Sequence, residues 1–178
     1  MTSYVALLRG INVGGNKMIS MAALREHLMK RGFKDVKTLL QSGNIVFRAP
    51  AQPAAKLEAQ LEREIEKAFG MNVDFHVRTA DEWQAIVDAN PFGAEARRDP
   101  GRLLVTCFKA PLDKTAVTDV RAAITGPEVL HADGRHLYMV YPDGVGNSKA
   151  AAILGRKLPP GTARNWNTVL KLAALCKA

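Results

Sequence analysis

Two successive runs of strand, helix, strand, strand and helix predict an α+β fold built as two ferredoxin-like halves. Three observations carry that prediction. Short apolar runs (Val5–Leu8, Leu103–Phe108) each precede a segment whose apolar residues recur at helical spacing. Glycine turn signals, Ser42-Gly43 and Asp133-Gly134, each separate a pair of short strand-like runs. A fourth strand is readable after the second helix of the first half, but no clear final strand follows in the second. The expectation is therefore an imperfect duplication, with antiparallel sheets and helices packed on one face. Residues 1–92 form the first half, 93–102 a linker, and 103–178 an incomplete βαββα half.

The elements follow in order. Tyr4–Ile11 is apolar enough on both faces to be a central strand. Ser20 caps a helix whose Met21, Leu24 and Leu28 share one face, and Gly32 supplies its left-handed stop. Val36–Leu40 and Ile45–Phe47 are strands; a two-residue turn at Ser42-Gly43 would set Gln41 against Asn44. Pro53 opens a second helix with the stripe Leu57, Leu61, Ile65, Ala68 and Phe69. Asn72–Val77 is the fourth strand, and Thr79 with Glu82 makes a capping box for a short helix that ends before Pro91.

Beyond the linker, Leu103–Phe108 is a strand and Asp113 caps a helix bearing Val117, Val120 and Ile124. Val129–His131 and His136–Val140 form the second hairpin. Ser148 caps a short helix that ends near Gly155, and Pro159-Pro160-Gly161 breaks the chain. A last helix runs from about Asn165 through Leu175.

Composition bounds the function. Hydrophobic residues make up 47% and charged ones 24%, enough for a real core. The net charge of +8 favours anionic partners, although a solvated basic surface explains it equally well. Cys107 and Cys176 provide neither a disulfide framework nor a zinc pattern, which fits a reducing cytoplasm. No signal-peptide pattern opens the chain, and no run approaches the ~20 apolar residues of a membrane span. The expectation is a soluble cytoplasmic protein that needs no membrane.

Connectivity then places polar loops together. With strand one up, helix one down, strand two up and strand three down, the first strand-to-helix loop and the first hairpin turn share an edge. Asn12, Asn16 and Lys17 approach Gln41, Ser42 and Asn44, with the amides of Gly14 and Gly15 facing the same space. Arg9 closes an apolar strand and needs a carboxylate, a carbonyl or a bound anion. An Arg paired with an acidic side chain, with glycines serving only turn geometry, is the structural alternative. A second polar stretch, Thr162–Thr168, sets Arg164, Asn165 and Asn167 at a helix N-terminus, where anions are favoured. Ser148-Lys149 repeats that arrangement, and a cap followed by a surface lysine explains it equally well.

Several chemistries fail on the residues. Gly10 and Gly15 are spaced like a phosphate-binding loop, but Asn16 separates the glycine from Lys17, and Met18 stands where magnesium needs a hydroxyl. His131 and His136, read as facing each other across their turn, lack a third ligand for a metal. His27 reads as a surface residue, His76 as partly buried and Cys107 as a small core residue. No nucleophile elbow or carboxylate pair is evident, and neither a metal nor a cofactor is implied.

The stretches Ala6–Gly15, Gln41–Phe47, Asn90–Phe92, Ser148-Lys149 and Thr162–Thr168 together resemble the signature of the domain-of-unknown-function 1697 family. The match spans nearly the whole chain. That resemblance implies a compact bacterial-type α+β protein with two ferredoxin-like halves, and it implies no activity. The leading expectation is binding of a small phosphate- or carboxylate-bearing ligand at the edge of residues 9–17 and 41–44. A cofactor-independent enzyme at that edge would use Arg9 and the loop amides to stabilise negative charge, with His76 or Asp74 as base. A nucleic-acid or protein interaction module is the third reading. At 6% aromatic residues, single-stranded nucleic acid is disfavoured against a compact ligand.

Overall fold

The computed structural model describes all residues, 1–178. It divides into two compact units, Met1–Val87 with Lys171–Ala178, and Asp88–Leu170. The segment 93–102 is not a free linker. Gly93–Arg98 is a helix and Pro100–Arg102 a single 3-10 turn, and both belong to the second unit.

In the first unit the order is β1 (Thr2–Leu8), α1 (Met21–Lys30), β2 (Lys34–Leu39), β3 (Asn44–Ala49), α2 (Ala54–Phe69), β4 (Phe75–Thr79) and α3 (Ala80–Asp88). The sheet order is β2-β3-β1-β4, antiparallel throughout. Tyr4, Ala6 and Leu8 on one face of β1 pack with Leu24 and Leu28 of α1 and Leu57, Leu61 and Ile65 of α2. Each such leucine contributes about 1.5–3 kcal/mol by leaving water. Val5 and Leu7, on the opposite face, are buried as well, so β1 is central as its composition requires.

Local signals fix the helix ends. The Ser20 hydroxyl accepts from the Ala23 amide at 3.3 Å, and Gly70 closes α2 at φ 66°. Thr79 and Glu82 form the reciprocal capping box, at 2.8 and 3.1 Å. Glu82 is one of three glutamates along β4, an edge strand. The amides of Phe75, Val77 and Thr79 donate to the carboxylates of Glu62, Glu58 and Glu82, respectively. Glu58 and Glu62 are four residues apart on α2, so one helix face delivers both carboxylates to the strand. The outward row of strand amides is thereby closed to other strands.

Element limits differ from the sequence reading where pairing decides them. β1 stops at Leu8, not Ile11, because its partners end at Asn44 and Phe75. β4 begins at Phe75 rather than Asn72. Leu39, not Gln41, faces Asn44, and Thr38 faces Ile45, so the first hairpin turn has four residues, 40–43.

The second unit comprises α4 (Gly93–Arg98), β5 (Leu103–Cys107), α5 (Lys114–Ala123), β6 (Val129–Asp133), β7 (His136–Val140), α6 (Ala150–Lys157) and β8 (Thr162–Asn165). α7 (Trp166–Lys177) follows and continues into the first unit's residues. Its sheet order is β6-β7-β5-β8, the same second-third-first-fourth order. The half expected to be incomplete has its final strand. Thr162–Asn165 pairs antiparallel with Cys107–Leu104, where the sequence suggested only the entry to a helix. The hairpin turn is Gly134-Arg135, since Asp133 faces His136. His131 therefore faces Tyr138 and not His136. Phe108, Val117, Val120, Leu137 and Met139 form the core of this unit.

Candidate functional site

The first-unit corner forms where β1 leaves the sheet. At Gly10 the chain takes φ 67°, and Val13 and Asn16 then pair across a small loop turned by Gly14 and Gly15. Asn12 ties this loop down. Its Nδ2 donates to the Ile19 carbonyl at 3.0 Å and to the Gln41 carbonyl at 2.7 Å, while its Oδ1 accepts from the Ile19 amide at 2.8 Å. The Leu8 amide donates to the Gly43 carbonyl at 2.9 Å. Residues 9–17 and 40–44, distant in sequence, are thus one corner.

The predicted residues take different parts in it. Gly14, Gly15, Asn16, Lys17, Gln41 and Ser42 are exposed. Asn44 is fully buried and donates to the Leu39 carbonyl and the Ser42 hydroxyl, so it knits the turn. Arg9 lies just beyond the end of β1, and the carboxylate it faces is that of Asp74. The arginine is half-exposed, 3.5 Å from Asp74, whose side chain is equally exposed. A pair so open to water contributes little to stability. The Lys17 ammonium donates to the Asn72 carbonyl at 2.7 Å. Asn72 and Asp74 belong to the wall of a hollow of about 290 Å³ that Glu62 and Glu66 also line. The side chains of Arg9 and Lys17 thus lean towards an acidic neighbourhood, while Gly14 and Gly15 are open to solvent.

Two further features mark the corner. Val13, Met18 and Leu40 are large, apolar and 64%, 62% and 54% exposed. Asn12, Lys17 and Leu40 adopt positive φ (54°, 47° and 59°), as only Asp35 does among the other non-glycine residues. A branched side chain gains nothing intrinsic from that conformation. A leucine beside Gln-Ser-Gly, where a turn favours a polar residue, was the available signal.

The second-unit residues have structural partners. Ser148 Oγ accepts from the Ala150 amide and donates to Glu128. Lys149 is exposed and lines a hollow of about 250 Å³ with Glu128, Asp143 and Asn147. Arg164 lies on β8 rather than at a helix start, and donates to the Thr162 hydroxyl and the Ala163 carbonyl. Burial pushes its guanidinium down to about 10, with Cys107 opposing. Asn165 caps α7 through Thr168, and Asn167 is exposed. No group of three or more His, Cys, Asp or Glu residues is placed to hold a metal. No helix is long and apolar enough to cross a membrane.

The fold defines a mixed α+β protein with two four-stranded antiparallel sheets of identical strand order. The chain belongs to the family described as protein of unknown function (DUF1697), whose model matches residues 1–138. Among solved structures it is similar to the conserved bacterial protein SP0830 from Streptococcus pneumoniae. That likeness has 26% identity, covers 98% of each chain and has a TM-score of 0.78. No curated protein matches.

Proposed function

We propose that this is a binding protein whose corner at residues 9–17 and 40–44 receives a small ligand through a phosphate or carboxylate group. The carrying observation is the Asn12 tie. It holds the exposed Gly14-Gly15 loop and Lys17 against the hairpin turn in a backbone conformation with several positive φ angles. Such strain is retained where a site must be preorganised. Lys17 gives one of its three donors to Asn72, and the half-exposed Arg9–Asp74 pair is weak enough to exchange with an incoming anion. The enzyme reading is less favoured, because Asp74 already faces Arg9 and His76 is only 2% exposed. The protein-interaction reading draws support from one observation, the exposed Val13, Met18 and Leu40.

Inorganic pyrophosphate titrated into ¹⁵N-labelled protein tests the proposal. Saturable shifts at the Gly14, Gly15 and Lys17 amides are expected, and Lys17→Gln should weaken them about tenfold, as loss of one charge-assisted hydrogen bond does. Unsaturable shifts spread over all basic residues would refute it. The protein-partner reading predicts instead that Met18→Ser with Leu40→Ser changes association while leaving the pyrophosphate shifts intact.

A further inference from the structure

We propose a second ligand site, independent of the corner, in a hollow of about 540 Å³ on the β2–β3 side of the first-unit sheet. It suits a small molecule with an anionic head and an apolar body. Val46 and Leu175 supply apolar wall; Lys37, Arg48 and Lys177 supply cations; and Cys176 opens into the same space. All of these residues belong to the first unit.

Size is the first argument, since ligand cavities typically enclose about 300–1,000 Å³. The second is charge. Asp35 neutralises Arg48 at 3.3 Å, whereas Lys37 and Lys177 form no ion pair with any carboxylate of the chain. Lys37 is half-buried and lines the hollow, so an anion seated there meets a cation for which no carboxylate competes. Register explains how these side chains meet. Lys37 pairs with Val46, and Arg48 lies two residues further along β3 on the same face. Ile45, Phe47 and Ala49 alternate with them and point into the core.

Cys176 makes the site testable. Burial pushes its thiol up, with Lys37 only partly opposing, and both residues line the hollow. Cys107 is 1% exposed, so iodoacetamide reads Cys176 alone in the folded protein. Phenyl phosphate and benzoate, at millimolar concentration, should each slow alkylation of Cys176 at least threefold. The better protector identifies the head group. Benzamide, of the same shape without charge, should leave the rate unchanged.

In Lys37→Gln the ratio of rates with and without the anion should fall to one, while the melting temperature stays at the parent value. In Lys17→Gln protection should persist, which separates this hollow from the corner. Failure of both anions to protect, equal protection by benzamide, or full protection in Lys37→Gln would each overturn the proposal. Loss of protection in Lys17→Gln would overturn its independence from the corner.

Discussion

The two halves solve the same crossing with different amounts of chain. Between the first strand and first helix, the second half uses residues 108–113, whereas the first half uses 9–20, twice the length. The second half turns its hairpin with Gly134-Arg135, the first with residues 40–43. One bond is common to both. The Leu8 amide reaches the Gly43 carbonyl, and the Phe108 amide reaches the Arg135 carbonyl, each at 2.9 Å. The short version is enough to hold this strand order together. The additional residues of the first half, including Val13–Lys17 and Leu40, exceed what the sheet requires, and they carry the exposed and strained positions.

The two hairpin glycines give the sharpest way to break that comparison. A Cβ at Gly43 would lie 2.7 Å from Ile11 Cδ1 and 2.8 Å from Leu8 Cβ, at φ 85°. A Cβ at Gly134 would meet nothing within 4 Å, at φ 55°. Gly43→Ala should cost about 3 kcal/mol through strain and overpacking combined. Gly134→Ala should cost only the left-handed penalty of about 1 kcal/mol. Urea denaturation of both variants checks the difference, and equal losses would show that the first corner is no more tightly built than the second.

Next in size is Glu58→Ala, which leaves the Val77 amide without its carboxylate in a buried setting. A loss of about 2 kcal/mol is expected. Hydrogen exchange should localise it to β4 and α2, leaving β5 and β7 protected. Asn12→Ala should cost about 1–2 kcal/mol by releasing the loop from Ile19 and Gln41. The same variant should lose the pyrophosphate shifts. If it keeps them, the loop does not need its tie.

The smallest effect concerns acid. Burial of Glu64 between α1 and α2 pushes its carboxyl up, but Arg31 and His27 together outweigh burial and leave it below the ordinary value of 4.5. Its contribution is therefore complete above that value and fades as pH falls through the lowered one. Glu64→Gln should flatten the acid limb of a stability–pH profile for the first half, with no change in the second. An unchanged limb would show that the ion pairs at Glu64 are inert.

Much of this architecture is legible locally. Ser20, Asp113 and the Thr79–Glu82 box cap helices as their residue types require, with bonds of 3.3, 2.9 and 2.8 Å. The apolar stripes of α1 and α2 are the core faces. The juxtaposition of the two polar loops follows from strand direction alone. What escapes local reading depends on partners distant in sequence. Thr162–Asn165 is short and polar, and only β5 makes it a strand, while Asn165 also caps the helix that follows. Residues 93–102 contain a Pro-Gly pair, yet six residues before it form a helix. Arg9 reads as part of a strand that ends one residue before it, because the Asn44 and Phe75 limits of its neighbours are invisible in its own sequence. Asp74 and Asn72, which engage Arg9 and Lys17, depend on where β4 begins.

The glutamates along β4 have one more consequence. A foreign segment approaching that margin meets carboxylates already bonded to Phe75, Val77 and Thr79, so it has no ladder to extend. Polymerisation by strand addition is blocked there by the protein's own helices, at a flank where sheets of this kind are otherwise vulnerable. Any lasting companion of the first sheet has to grip side chains rather than splice itself into the backbone along β4.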